Sequence, residues 1–523
     1  MILEAIRTAP GRFMTNIRNP KMRKNVAILM VGKLLGLALV LLVMNMFMPT
    51  ATRAQDVATA VDGAQINAIN TTWTLVAAFL VFCMQAGFVM LEAGFARSRE
   101  SVNILVEGIA DTCICGLTFW AWGYAFMFQP GNGFIGTHGF FLQGLDPAWG
   151  GSNGLYGATG IPVLAHWVFQ FAFADTCSTI TSGAMIGRCD FIGDILYSVA
   201  VTGFIYPIVG HWSWGPDGWL ALMQPLPFRD FAGSTVVHSI GGAISLAGAL
   251  ILGPRLGRVF KRDGGGPMKP HDLIVGAVGG LILWFGWYGF NPGSTLSAMD
   301  IMGIGRVSFN TTLAACSAGM TALIISYMTS KKWDLGLTVN GFLAGLVAIT
   351  CPCYWVDPVG AFFIGLGAGI VVYLAIELLE YLRIDDPIGA VPVHLACGIW
   401  GTLSLGLFAS GAYGLPTAAG ADTSVVVTGL FYGGGTGQLV AQFIGSAATV
   451  LVSFIVAYAV MWVIEAVTDL RLAADKEIAG LDLEEHGAAA YPEYVLSGND
   501  GTPKTLEDAK KVLVRSNAPA AGD

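Results

Sequence analysis

Two histidines, His238 and His394, lie inside apolar stretches, and the sequence around the first is partly repeated around the second. Asp230-Phe-Ala-Gly233-Ser-Thr-Val-Val237-His238-Ser-Ile-Gly-Gly242 aligns without a gap on Asp386-Pro-Ile-Gly389-Ala-Val-Pro-Val393-His394-Leu-Ala-Cys-Gly398, sharing Asp, Gly, Val, His and the closing Gly. An imidazole titrates near neutrality and can donate and accept hydrogen bonds, so two of them could exchange a proton. Ionisable groups within a bilayer are costly and usually mark a transport path, and paired halves with a site near the midplane are a transporter signature. The competing reading is a satisfied core pair that ties the two halves together.

The elements that must position these rings are membrane helices. Hydrophobic residues make up 54% of the chain, charged residues only 12%, and the mean hydropathy is +0.64, well outside the range of soluble domains. The 69 glycines suit closely packed transmembrane helices. The nine cysteines form no metal-ligand pattern: Cys113 and Cys115, or Cys351 and Cys353, are too close together and read as small buried hydrophobes. No nucleophile constellation, phosphate loop or metal cluster stands outside the apolar segments, so an enzyme, a cofactor and a nucleic-acid partner are not expected.

At the start, Arg7, Arg12, Arg18, Lys21, Arg23 and Lys24 precede an apolar run from Leu34 to Met48 and small residues at Thr52 and Ala54. Residues 1–54 therefore read as a signal peptide, with an uncleaved anchor as the alternative. From residue 70 onward, runs of about 20 apolar residues give eleven candidate spans, at 71–94, 104–127, 161–186, 191–212, 232–253, 272–291, 307–329, 335–352, 357–381, 388–409 and 436–467.

Loops on one side carry Arg97, Arg99, Arg188, Arg255, Arg258, Lys261, Arg262, Lys269, Lys331, Lys332 and Arg383, whereas the other side has Arg229 and Arg306. The basic side is cytoplasmic by the positive-inside rule, so the first span starts outside and the last ends inside. The fifth span, with His238, then runs inward and the tenth, with His394, outward. The expected fold is an all-α polytopic membrane protein in which helices 1–5 and 6–10 form an inverted repeat and an eleventh helix follows. Each Asp opens its helix as an N-cap, with Asp230 also lending negative potential near an outer entrance. Each His follows eight residues later, roughly 12 Å along the axis, so the two rings should meet near the midplane.

Longer motifs sharpen this reading. Asp230 to His238, Trp287-Tyr-Gly-Phe290-Asn-Pro-Gly-Ser294, Asp385-Asp386-Pro, Met90-Leu-Glu-Ala-Gly-Phe-Ala-Arg97 and Asn103-Ile-Leu together resemble the Amt/Mep/Rh ammonium transporter family, the Amt branch in particular. The resemblance implies that Trp214 and Ser294, with Phe169, recruit ammonium at an outer vestibule. Phe169 and Phe290 would be stacked gate rings, Asp230 a structural acid of the vestibule, and His238 and His394 a pore-lining pair sharing one proton. It further implies deprotonation of ammonium and passage of ammonia, or methylamine from methylammonium, through an apolar lumen, with a proton following so that transport is electrogenic. An electroneutral Rh-type ammonia channel and an ammonium sensor of the same fold are the alternatives.

The implied organisation is a transporter domain at 65–467 and a cytoplasmic regulatory tail at 468–523, in a lipid-embedded homotrimer of the bacterial inner membrane serving nitrogen uptake. In the tail, Gly480-Leu-Asp-Leu-Glu-Glu-His486-Gly487 resembles the family segment that packs beneath a neighbouring subunit. The loop from Arg255 to Lys269, with the tail, is where a PII-type signal protein would dock. Ile186-Gly187-Arg188 departs from the family in lacking an acidic partner for Arg188. Asp111, which fits the Amt branch, and Asp175, which has no place in the pattern, are intramembrane carboxylates that are either paired with neighbouring groups or part of a proton route.

Overall fold

The computed structural model describes residues 63–145 and 159–491; the expected signal peptide and the tail beyond Tyr491 lie outside the described residues. Eleven long helices correspond one to one with the expected spans: α1 Gly63–Phe95, α2 Ser98–Phe128, α3 Val163–Gly183, α4 Phe191–Trp214, α5 Ser234–Leu252, α6 Leu273–Gly293, α7 Ile301–Ser330, α8 Leu335–Thr350, α9 Pro358–Leu382, α10 Val391–Phe408 and α11 Gly437–Thr468. Two short helices follow, α12 Ala474–Ala479 and α13 Leu481–His486. Strands occur, among the described residues, only as two small hairpins in loops, β1 Gly131–Asn132 with β2 Ile135–Gly136 and β3 Leu415–Thr417 with β4 Gly420–Asp422.

Among the described residues, nine helices are long and apolar enough to cross a bilayer; α3 and α8 are the exceptions. They are the third helix of each half, and both are buried along most of their length. A helix wrapped in other helices faces no lipid, so α3 can carry Asp175, Thr176, Ser178, Thr179, Thr181 and Ser182, and α8 can stop after sixteen residues. Lipid-facing helices such as α11 instead expose Phe443, Leu451, Ile455 and Trp462.

The repeat is visible as reciprocal contacts. The first helices of the two halves, α1 and α6, cross with Gly94 on Gly276. The fifth helices, α5 and α10, cross just beyond their histidines, where a Cβ on Gly242 would lie 2.4 Å from Leu395 N and a Cβ on Gly398 2.4 Å from Ser239 Oγ. Each glycine four residues past its own His thus meets the residue one past the other His. Only hydrogen at both positions allows so close an approach.

One end of the bundle gathers the basic loops. Asp385 accepts hydrogen bonds from Arg255 at N (3.0 Å), Nε (2.8 Å) and Nη2 (3.0 Å), and from Arg258 Nε at 3.2 Å. Arg258 also pairs with Glu380. Burial opposes ionisation of Asp385, but the Arg255 guanidinium, with Arg188 beyond it, holds the carboxyl far below the ordinary carboxylate range. Arg188, without the acid expected beside it, donates instead to the carbonyls of Gly253, Ile186 and Asp385. Burial lowers its guanidinium to about 10, with Asp385 pulling the other way. The tail joins here: Arg471 bonds Leu252 O at 2.6 Å and Glu477 at 2.8 Å, and Glu477 accepts from Leu256 N.

Asp385→Asn leaves two buried guanidinium groups short of their anion and should cost about 3–5 kcal/mol, read as a lower thermal midpoint of detergent-solubilised protein. Because the folded carboxyl titrates below its unfolded value, this stabilisation is complete above the ordinary carboxylate range and is lost progressively as pH falls from that range through the depressed value. Thermal midpoints that fall already in mildly acidic buffer in the wild type, but not in Asp385→Asn, would contradict the assignment. At the α5/α10 crossing, Gly398→Leu should cost at least about 1–3 kcal/mol by overpacking, whereas Gly305→Ala on α7, where a Cβ meets nothing within 4 Å, should be neutral. Equal thermal midpoints for the two variants would remove the crossing as a constraint.

Candidate functional site

Both histidine helices begin in the same way. Asp230 Oδ1 accepts from Gly233 N (2.9 Å) and Ser234 N (3.1 Å), and its Oδ2 from Thr235 N (2.8 Å) and Val236 N (2.9 Å). Asp386 takes Gly389 N (3.0 Å), Ala390 N (3.1 Å) and Val391 N (2.8 Å). These are the N–H groups a helix start leaves without a partner, and the carboxylate also suits the positive end of the helix dipole. Burial pushes both carboxyls up despite these donors, Asp386 to about 6. At the turn, Gly233 and Gly389 have φ of +112° and +86°, left-handed values that favour glycine.

After the cap, each helix opens into a wide π turn, Ser234–Ser239 in α5 and Val391–Ala396 in α10. Each turn contains a histidine, a placement typical of functional π bulges. Together with the glycine crossing, this sets His238 Nδ1 3.2 Å from His394 Nδ1, with ring centroids 5.2 Å apart and planes at 25°. Two facing ring nitrogens at that distance need one proton between them, since two lone pairs or two N–H groups would repel. The side chains are buried, 0% exposed for His238 and 7% for His394. Trp287 lies along His238 at 5.1 Å, and among the described residues His238 Nε2 has no hydrogen-bond partner.

A column of aromatic rings leads to His238 from the end opposite the basic loops. Phe290 stacks on the imidazole at 5.4 Å and on Phe173 at 3.9 Å, with planes at 24°. Phe173 meets Trp214 edge-on at 6.2 Å and Phe169 at 4.7 Å. Phe173, and not Phe169, is therefore the ring stacked on Phe290. Phe169 lies one turn farther along α3, where a Cβ on Gly293 would sit 3.1 Å from its ring. Residues 169 and 173 are four apart and share a helix face, so the sequence offers two phenyl groups for one position. The register between α3 and α6 decides which is used.

Trp214 is oriented by its Nε1, which donates to Asp230 O at 2.8 Å. Beside the rings, Ser294 is half-buried and donates its hydroxyl hydrogen to Phe290 O at 2.8 Å. Its oxygen lone pairs are thus left to accept. Trp214, Ser294, Phe169, Phe290, His238 and His394 are all brought into this one column. On the far side of the pair, Phe88 lies 6.4 Å from His394. A cavity of about 630 Å³ at the basic end reaches Pro392, two residues from His394, and is lined there by Asn340, Asp386, Ile388 and Gly389. Sequence reading passed over Phe173, Phe88 and the stacking role of Trp287; the i, i+4 spacing of the two phenylalanines was the signal available for the first.

The site is thus an aromatic funnel beside a hydroxyl oxygen whose lone pairs are left to accept, ending on two imidazoles whose Nδ1 atoms face each other at 3.2 Å. Residues 72–491 match the profile of the Ammonium Transporter Family. The chain is 40% identical over 436 residues to ammonium transporter Amt2 of Archaeoglobus fulgidus, covering 82% of this chain and 89% of that one. It is 35% identical over 447 residues to ammonium transporter 1 member 3 of Solanum lycopersicum, covering 82% and 94%. Among solved structures, a protein described as Sensor Amt Protein superposes with a TM-score of 0.71 at 36% identity, covering 82% of this chain and all of that one. Mep2 of Candida albicans gives a TM-score of 0.71 at 26% identity, covering 86% and 95%. With the duplicated histidine helices, the eleven-helix order and these matches in hand, the chain belongs to the ammonium transporter family.

Proposed function

We propose that the protein takes up ammonium through this column and conducts ammonia, with a proton, past the His238–His394 pair. The observation that carries the proposal is the 3.2 Å Nδ1 contact at the end of the ring column. Ammonium and potassium have the same charge and similar size, so a selective site must use what ammonium alone has, four N–H donors and a removable proton. The Trp214 face attracts a cation by about 0.5–2 kcal/mol, and the Ser294 oxygen accepts one N–H. Beyond Phe173, the rings of Phe290 and Trp287 lie against His238 and cannot replace water, so a bare cation meets a steep desolvation cost that neutral ammonia escapes. At the pair, the ring that donates through Nδ1 keeps an accepting Nε2, and its partner keeps a donating one. Ammonia, which both donates and accepts, can therefore be handed along.

On this proposal the chain lies in the bacterial inner membrane, start outside and tail inside, as a homotrimer with residues 1–54 removed or serving as an anchor. Residues 65–467 form the transporter domain and 468–523 the regulatory tail, with a PII-type signal protein meeting the tail and the Arg255–Lys269 loop. The basic network at one end of the bundle supports that orientation. Within the chain, α12 and α13 pack on α2 and α4, which leaves contacts with a neighbouring subunit as an addition to these. A sensor is the second reading, favoured by the solved neighbour described as a sensor, and transport separates the two.

Ser294→Ala removes a charge-assisted acceptor worth about 1.5–3 kcal/mol, so half-saturation for uptake should rise roughly ten- to a hundredfold with the maximal rate largely kept. An unchanged half-saturation would take Ser294 out of the recruitment site. Wild-type proteoliposomes should show a current on ammonium addition and none on potassium addition, and His238→Ala should lose that discrimination. Undiminished ammonia flux without current would leave an electroneutral channel, and no flux of either species would leave the sensor.

A further inference from the structure

Five carboxylates stand apart from the ring column. Glu92 on α1, Glu107 and Asp111 on α2, Asp175 on α3 and Asp194 on α4 are each no more than 4% exposed, in helices that pack on one another. Among the described residues no Lys, Arg or His lies within 4.0 Å of any of them. The nearby cations are committed elsewhere, Arg97 to Glu100 and Gly187 O, Arg188 to three backbone carbonyls.

Each of the five accepts from a neutral group. Ser198 donates to Asp111, Tyr197 to Asp194, Thr112 Oγ1 to Asp175 Oδ2 at 3.0 Å, Asn103 Nδ2 to Glu107 Oε1 at 2.8 Å, and Ser182 to Glu92 at 3.3 Å. Among the described residues, Glu92 Oε1, Asp175 Oδ1 and Asp194 Oδ2 nevertheless have no hydrogen-bond partner, and the hydroxyl of the fully buried Ser178 faces Asp111. A buried anion without a cation costs several kcal/mol, and neighbouring like charges add to that cost. Five such anions cannot coexist, so some carry protons. A protonated carboxyl is a donor, and it costs far less to bury than the anion.

The cluster also has a way out. Asn103, Glu107 and Asp111 lie on one face of α2 at steps of about 6 Å, leading to the basic end. There the tail closes the line: Asn103 N donates to Asp482 Oδ1 at 2.9 Å and Asn103 Oδ1 meets His486 Nε2 at 2.8 Å, while Glu485 accepts from Phe191 N. The other titratable groups against the cluster are Glu100, Cys115, Cys177, Cys189 and Tyr197.

We propose that Glu92, Glu107, Asp111, Asp175 and Asp194 form a proton-binding site separate from the ammonia pore, reached from the cytoplasmic face along Asn103 and capped there by Asp482 and His486 of the tail. Naming that face cytoplasmic rests on the transporter reading; the site itself does not. Uptake of a proton forms one O–H bond on a carboxylate, breaks none in the protein and lowers the negative charge of the cluster by one.

Infrared difference spectroscopy of wild-type protein in lipid, taken through a pH cycle, should show a protonated-carboxyl stretch at neutral pH that shrinks as the buffer becomes alkaline. Glu107→Gln and Asp175→Asn should each remove part of it, and His486→Ala should speed its deuterium exchange severalfold. Absence of the band in the wild type, or a band untouched by both substitutions, overturns the site; unchanged exchange in His486→Ala overturns the tail cap. Ammonium uptake by the same preparations reports on the transporter reading independently, since the wild-type band requires no transport.

Discussion

Everything at the centre of this protein depends on how closely α5 and α10 approach. Two glycines, Gly242 and Gly398, each accept the backbone or side chain next to the other helix's histidine, and the contact is reciprocal because the helices are copies in opposite directions. Without it, two imidazoles on separate helices would have no reason to meet at hydrogen-bonding distance. With it, the caps at Asp230 and Asp386, the left-handed glycines and the π turns follow as the local means by which each helix starts at the right depth and turns its ring inward.

The same crossing explains why polar chemistry survives in so apolar a place. On the proposed reading one shared proton satisfies both Nδ1 atoms at once, so neither ring needs a carboxylate beside it, and an aromatic wall of Trp287, Phe290 and Phe173 can close around His238. Along the ring column, charge is kept to the margins instead. At one end the arginines are neutralised by Asp385, Glu380 and Glu477, and at the other Ser294 and Trp214 offer only an oxygen lone pair and a π face. On the proposed function, this arrangement holds a cation outside and makes its further entry costly unless a proton is given up.

Much of this was legible in the chain. The duplicated Asp-Gly-Val-His-Gly register fixed both caps and the convergence of the rings, and the skew of Lys and Arg separated the two ends. What stayed hidden depends on packing between helices distant in sequence. Phe169 and Phe173 differ by one turn of α3, and only contact with α6 distinguishes them. The helices α3 and α8 were expected as spans, but their burial among other helices, which lets them be less apolar or shorter than the rest, shows only in the packed bundle. Asp111 and Asp175 were visible singly; that Glu92, Glu107 and Asp194 join them appears only once α1 to α4 are packed.

The central claim is that His238 and His394 share one proton between facing Nδ1 atoms. Solid-state nitrogen NMR of histidine-labelled protein in lipid bilayers tests it directly. The account predicts one protonated and one unprotonated Nδ1, correlated with each other across the hydrogen bond and lost together when either residue is replaced. Two protonated Nδ1 atoms, or two that show no mutual correlation, would contradict it.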